Sequence, residues 1–549
     1  MHKLDENIRL KYEHWMGFNA NVKSELSGLA NFPNEINDRF YKDVTFGTGG
    51  MRGLMGAGTN RINEFTIRRA TYALGQVLLE KKEKPTVVIA YDTRNNSKEF
   101  AQTAADILSS LNISTKLFQE AMPTPVLSFA VRHFHADAGI VITASHNPKA
   151  YNGFKVYNHM GGQIVPSEAN EIIAVLSKLD GFEEVRSVKI KSHYIEYIDT
   201  QFIDTFIDAI DLPTPAEHSN LRVTYSPLHG AGYKPIVKAL SDYQLNIVDT
   251  QAEPDGDFPT VISPNPEDKA AMEMAIEAAR KIDAHLAIAT DPDCDRIGVA
   301  VKHGQEYIRL SGNQIGALFA DYLTNQGELS EGVIIKTIVT NEFGANIAKV
   351  RGLKVLETLT GFKYIGELMN QFEQDNQLDN YILGYEESYG YLPGTHARDK
   401  DGVSSAMLLA LIASELLNQN KTLIDRLNEL YIEFGYYLDD LDALTFEGQE
   451  GVERIQKIMD QARSLGKDLV NACILVEDYS DGINQLPKEN VLKFILEDGS
   501  WFAIRPSGTE PKIKIYYSIK NEDVQSAQNQ LQQLKVTLQE QLSIQLLES

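Results

Sequence analysis

PTVVIAYDTR, residues 85 to 94, is an apolar run that closes on polar residues, and its continuation decides the fold. A polar loop leads into FAQTAADILSSL, whose apolar residues recur at helical spacing, and then into a second apolar run, ISTKLF. Strand, loop, amphipathic helix and strand is the alternation of a βαβ unit with parallel strands. The unit recurs as LRVTYSPLHG from Leu221, a helix around KPIVKAL and LNIVDT. It recurs again as GVIIKTIVT from Gly332, a helix around GANIAKV and LKVLET. Each copy then meets one more apolar stretch with a polar loop: AGIVITASHNP, HLAIATDPDCDR and YILGYEESYG. Ligand groups collect at the carboxyl ends of parallel strands, so chemistry is expected in these three loops.

The tail is of another kind. VLKFILEDGSWFAIRPSGTEPKIKIYYSI reads as strands, with Asp498-Gly499 as a hairpin turn and a long helix from about Asp523. The expected fold class is therefore α/β: three similar mixed α/β domains plus a C-terminal α+β domain. The bounds expected are 1–210, 211–325, 326–450 and 451–549, with DLPTPAEHSN the clearest linker.

A chain of 549 residues is too long for one core, and 43% hydrophobic with 23% charged residues is the composition of a soluble globular protein. Its longest apolar stretches fall short of a membrane span, and MHKLDENIRLKYEHW lacks the apolar core of a signal peptide. A cytoplasmic location with no membrane partner is expected. Two cysteines, Cys294 and Cys473, give no disulfide framework and argue against a structural zinc site. The formal net charge of −24 repels nucleic acid, so no nucleic-acid partner is expected and an anionic substrate needs a local cluster of Arg and Lys.

DPDCDR, residues 291 to 296, spaces Asp291, Asp293 and Asp295 so that their carboxylates can converge on one hard cation, magnesium or calcium. An EF-hand would need Gly and Glu where Arg296 and Lys302 stand. An aspartate-nucleophile phosphatase also places Asp-x-Asp after a strand, though the third Asp suits ligation better; a solvated acidic turn is the plain alternative. RPSGTEP offers Arg505, Ser507, Gly508 and Thr509 to a phosphate dianion, and an ordinary turn satisfies the same string. GYEESYG carries groups able to pair with sugar hydroxyls. GTHARDKDG crowds His396, Arg398 and Lys400 into one loop, for which a salt-bridged surface loop with Asp399 and Asp401 is the alternative. FGTGGMRG, residues 46 to 53, is a glycine-rich loop carrying Arg52 without a nucleotide-binding pattern.

TASHNPKAYNGFK, residues 143 to 155, reads as a short loop holding Ser145, His146, Asn147, Asn152 and Lys155. It is not the GxSxG of a hydrolase elbow. Adjacent side chains on a strand diverge, which leaves His146 a supporting role, and Ser145 as a cap before Pro148 is a further option. A serine, a metal loop, a phosphate loop and a polyol loop together fit phosphoryl transfer on a sugar.

These four loops, in this order, resemble those of the phosphohexomutases, the family of phosphoglucomutase and phosphomannomutase, and the resemblance covers essentially the whole chain. It implies four domains around a central cleft and a phosphoryl group carried on Ser145. Asp291, Asp293 and Asp295 would hold one Mg²⁺ together with an oxygen of that phosphoserine. Glu386, Ser388 and the Thr360-Gly361 loop of TLTGFKYIG would contact the sugar, and Arg505, Ser507, Gly508 and Thr509 the non-transferred phosphate. Arg52 and Lys155 match family positions that serve the reacting groups, with Arg296 and Lys400 as further substrate contacts. Where some members have a histidine after the sugar motif this chain has Tyr389-Gly390, so their acid–base assignment does not carry over and His396 or Lys400 is the substitute.

The implied reaction interconverts glucose 1-phosphate and glucose 6-phosphate. O1 and O6 lie on opposite sides of the ring, so the phosphate passes through the serine and glucose 1,6-bisphosphate, which is both intermediate and activator. Lys155 is the first candidate for proton transfer if burial and nearby cations lower its pKa. The expected partner is a small phosphosugar, with the chain a monomer or homodimer. Mannose or pentose phosphates are alternative substrates; an inert sugar-phosphate binder and a phosphatase are rivals of other classes.

Overall fold

The computed structural model describes residues 4–47, 49–179, 181–186, 188–213, 220–325, 331–446, 448–484, 486–507 and 512–544. It forms two compact units. The first comprises Met1–Leu310 with Phe362–Gly384 and Ser388–Asn418, the second Ser311–Gly361, Tyr385–Glu387 and Gln419–Ser549.

In the first unit the opening run forms strand Thr86–Tyr91, followed by helix Ser97–Ser110 and strand Ser114–Phe118. Thr86–Tyr91 pairs in parallel with Ser114–Phe118 on one side and with Ala138–Ile142 on the other. Ala138–Ile142 is buried at every position, as a strand covered on both faces must be. The second repeat builds the same motif: Arg222–Ser226 is parallel to Gln244–Ile247 and to Leu286–Thr290. Both sheets are mixed. Gly50–Leu54 and Tyr151–Asn158 add antiparallel strands to the first, and Ile297–His303 and Glu306–Arg309 to the second.

Two expectations need correction here. NGFKVYN belongs to strand Tyr151–Asn158, so Asn152 and Lys155 sit on a strand and not on the serine loop. The second half of the glycine-rich FGTGGMRG is likewise strand, Gly50–Leu54, with Arg52 opposite Gly153 and Gly50 opposite Lys155. Glycine disguises both segments, because its strand propensity is poor, yet here it serves close approach. A Cβ on Gly153 would stand 2.5 Å from the Thr143 carbonyl oxygen and 2.7 Å from that of Met51.

The N-terminal segment adds helices Glu6–Trp15, Ala20–Gly28 and Pro33–Phe40, the first two capped by the side chains of Asp5 and Asn19. Trp15 stacks on Phe18 with ring centroids 4.6 Å apart, and Phe40, Phe65 and Phe182 meet Trp15 edge-on. This aromatic cluster is a core of its own beside the first sheet.

In the second unit the third repeat gives strand Val333–Thr337, helix Phe343–Val350 and strand Lys354–Thr358, the two strands parallel. The tail is an antiparallel sheet in the order Tyr436–Thr445, Lys512–Asn521, Trp501–Pro506, Leu492–Leu496, Cys473–Asp478. Gly499 turns the hairpin at φ +85°, and Asp523 caps helix Val524–Leu542 by accepting from the Ser526 N–H. No single helix among the described residues is long and apolar enough to cross a membrane.

Candidate active site

The first two repeats place their third-strand loops together. Ala138–Ile142 ends in the serine loop and Leu286–Thr290 in the three-aspartate loop, and Ser145 Oγ donates to Asp291 Oδ2 at 2.8 Å. Ser145 has φ +51°, a left-handed conformation unusual for a residue with a side chain. That conformation corrects the expectation for His146. The two side chains do not diverge as on a strand; Ser145 Oγ lies 3.1 Å from His146 Nδ1. Burial, with Arg296 and Arg52 close by, holds the imidazole well below its ordinary pKa, so His146 is neutral near pH 7.

Asp291, Asp293 and Asp295 are all buried, and one oxygen from each lies within 4.8 Å of the others. Asp293 Oδ1 and Asp295 Oδ1 have no hydrogen-bond partner among the described residues. Buried carboxylate oxygens left unpaired beside one another are costly unless a cation joins them, and an all-oxygen donor set fits a hard divalent ion. The residues therefore fit a metal site. Burial and the neighbouring Asp295 and Asp293 push Asp291 well above the usual carboxylate range.

Around the triad stand Lys155 Nζ, 2.9 Å from Asp293 and 3.4 Å from Asp295, and Lys400 Nζ, 2.9 Å from Asp295. Burial alone would lower the Lys155 pKa, but Asp293 and Asp295 outweigh it and the net shift is upward. The lowered pKa expected of a lysine base is thus not found, and Lys155 is a held cation. Arg296 reaches Glu267 at 2.5 Å while its backbone N–H donates to Asp291. Arg52 donates to Asn147 at 3.1 Å, beside the serine loop. Ser388 is half-buried on the loop that follows Glu386.

The GTHARDKDG loop is not a surface loop. His396 pairs with Asp401 at 2.9 Å, both buried, and buried Arg398 with the partly exposed Glu373 at 2.6 Å, while Lys400 turns to Asp295 of the metal loop. His396 is a structural residue and not a substitute proton carrier at this site.

Sequence reasoning missed three contributors in this unit. Thr124 donates its hydroxyl to Asp293 Oδ2 at 2.8 Å, and the Thr143 hydroxyl accepts the Ser145 N–H at 2.7 Å. Arg94, the last residue of the opening run, reaches the backbone of the serine loop. Its position at the carboxyl end of a parallel strand was the available signal.

In the second unit Glu386 is buried and accepts the Gly361 N–H at 2.9 Å, which joins the two expected sugar-contact segments. Thr360 Oγ1 is buried without a hydrogen-bond partner among the described residues. Glu387, not singled out from sequence, accepts from the hydroxyls of Thr337 and Thr340 at 3.2 Å each. Arg505 Nε pairs with Glu489 at 2.8 Å, and the Ser507 N–H donates to the Lys512 carbonyl at 2.7 Å. Gly508 and Thr509 lie outside the described residues.

Comparison with known proteins places the chain in one family along most of its length. Residues 43–181, 199–304 and 311–434 match phosphoglucomutase/phosphomannomutase alpha/beta/alpha domains I, II and III, and residues 445–530 match the C-terminal domain. A phosphoglucomutase of Staphylococcus epidermidis is 38% identical over 500 residues, covering 87% of this chain and 90% of its own. One from Staphylococcus aureus is 39% identical over 512 residues, covering 89% and 92%. Among solved structures, parafusin from Paramecium superposes with a TM-score of 0.70 at 18% identity, over 91% of this chain and 96% of its own. A phosphoglucomutase/phosphomannomutase family protein from Burkholderia thailandensis does so with 0.67 at 19%, over 91% and 98%. With all four domains matched in order, a serine loop meeting a three-carboxylate site, and relatives similar over most of both chains, this chain belongs to the phosphoglucomutase/phosphomannomutase family.

Proposed function

We propose that this protein is an intramolecular phosphotransferase that interconverts glucose 1-phosphate and glucose 6-phosphate. Ser145 is the phosphoryl carrier and glucose 1,6-bisphosphate the intermediate and activator. The observation that carries the reading is the meeting of Ser145 Oγ with the buried Asp291–Asp293–Asp295 cluster, in a chain 38–39% identical to proteins named phosphoglucomutase.

Asp291, Asp293 and Asp295, with Ser145, would hold one Mg²⁺, whose contribution when bound is to neutralise charge on the phosphoryl group. The chain's own residues do the rest. Lys155, held charged by Asp293 and Asp295, together with Lys400 beside Asp295 and with Arg52, surrounds the loop with positive charge that compensates a group carrying about −1.5 to −2 at neutral pH. Neutral His146 keeps a hydrogen bond to Ser145 Oγ. Glu386, Ser388, Thr360 and Gly361 bind sugar hydroxyls, Arg296 adds a substrate contact, and Arg505 and Ser507 hold the phosphate that is not transferred. The enzyme works in the cytoplasm on a small phosphosugar, as a monomer or homodimer.

The test is a coupled assay for glucose 6-phosphate formed from glucose 1-phosphate, with Mg²⁺ and a trace of the bisphosphate. Removing the nucleophile should cost Ser145→Ala about 10³-fold or more in kcat. Activity in that variant close to wild type would refute the carrier role, and release of free phosphate in place of isomer would make the protein a phosphatase.

A further inference from the structure

The guanidinium of Arg94 is engaged on every side, and nothing in the reaction outlined above uses it. It is 3% exposed. Nη1 donates to the carbonyls of Pro148 at 3.0 Å and Tyr151 at 3.2 Å, and Nη2 to those of Ser145 and Asn147. Nε faces Asp92 Oδ2 at 3.2 Å, and the Phe258 ring covers the guanidinium at 5.0 Å. Three carbonyl oxygens of the serine loop and that of Tyr151, the first residue of the following strand, thus converge on one planar cation.

That convergence has a backbone consequence. In a trans peptide the carbonyl and the following N–H point in opposite directions. Fixing the Ser145 carbonyl on Arg94 therefore turns the His146 N–H away from Arg94 and restricts ψ at Ser145, a residue at φ +51° whose Oγ reaches Asp291. Phe258 is itself left-handed at φ +45°, on a segment that also ties to the serine loop through Ser263, whose hydroxyl donates to the His146 carbonyl at 3.0 Å.

We infer that Arg94, braced by Asp92 and Phe258, is a positioning residue for phosphoryl transfer: it sets the backbone of the serine loop so that the Ser145 oxygen is presented to the metal loop. The inference rests on Ser145 being the phosphoryl carrier. A lysine in its place keeps the charge but loses the planar fork that reaches four carbonyls at once.

Arg94→Lys should keep its cooperative melt yet lose about 100-fold in kcat with KM for glucose 1-phosphate within about threefold, since misplacing a reacting atom by an ångström costs that much. The ³¹P resonance of its phosphoserine should shift from the wild-type position. In Arg94→Ala, added guanidinium at low millimolar concentration should restore part of kcat. A wild-type kcat in Arg94→Lys, a KM rising in step with the fall in kcat, or an unshifted ³¹P signal would overturn the inference. Should neither Arg94 variant fold, Phe258→Leu decides: a several-fold loss of kcat at constant KM is expected, and wild-type kcat rejects the role. Wild-type enzyme without phosphoserine, or an active Ser145→Ala, would instead defeat the carrier reading on which this one stands.

Discussion

At the residue scale the site turns on backbone conformation as much as on side-chain type. Ser145 and His146 were legible as candidates from TASHN, but their 3.1 Å contact was not, because only the φ of +51° at Ser145 brings neighbouring side chains to one side. The same limit hid the state of Lys155: the sequence shows a lysine near a serine, while its charge is decided by aspartates about 140 positions away. Asp439 is a second case. Burial pushes its carboxyl up to about 7 against the hydrogen bonds from Asn341, with Asn313, Ser518 and Glu387 also facing it. Between the unfolded pKa near 4 and about 7 the unfolded chain releases this proton and the folded one keeps it, so this group's contribution to stability falls as pH rises, and is flat above 7. Asp439→Asn should therefore raise the melting temperature at pH 8 by about 2 °C or more relative to wild type, and by less at pH 5. An equal change at both pH values would show that Asp439 does not titrate in this way.

At the scale of elements, the three repeats were readable because a strand buried on both faces is a continuous apolar run and its helix keeps a 3.6-residue period. The hairpin at Asp498-Gly499 and the Asp523 cap were readable from turn and cap chemistry. Gly50–Leu54 and Tyr151–Asn158 were not, since their glycines and polar residues satisfy neighbours across the sheet and no local pattern. Nor were the three N-terminal helices, whose aromatic core is completed by Phe65 and Phe182 from far along the chain. Gly153 links such an element to the site. Its carbonyl sits at the root of the serine loop, accepting the Thr143 N–H at 3.2 Å. A methyl group there meets two backbone oxygens, so Gly153→Ala should lower the melting temperature and reduce kcat about tenfold or more through displacement of the serine loop. A variant with unchanged melting and turnover would mean the strand relaxes freely.

For the whole molecule, length and composition bounded the answer and the order of four loops narrowed it to a family, before any distance was known. The resemblance already brought the serine and metal loops to one Mg²⁺ and the Gly361 and Glu386 segments to one sugar; what sequence could not supply was the direct contact in each case, Ser145 Oγ on Asp291 and the Gly361 N–H on Glu386. In the first unit the contact arises because the third strand of each repeat runs parallel to the first, so that its loop falls at the carboxyl end of the parallel strands. The acidic chain, at −24, also had to gather cations locally, and Arg52, Lys155 and Lys400 beside the serine and metal loops are that gathering. The central claim is that this machinery serves a covalent phosphoserine. Incubating the protein with glucose 1,6-bisphosphate labelled with ³²P at both phosphates, in Mg²⁺, and mapping the label by proteolysis tests it directly. The account predicts one labelled residue, Ser145, and transfer of that label to unlabelled glucose 1-phosphate when it is added. Turnover without any protein-bound label, or a label on another residue, would contradict it.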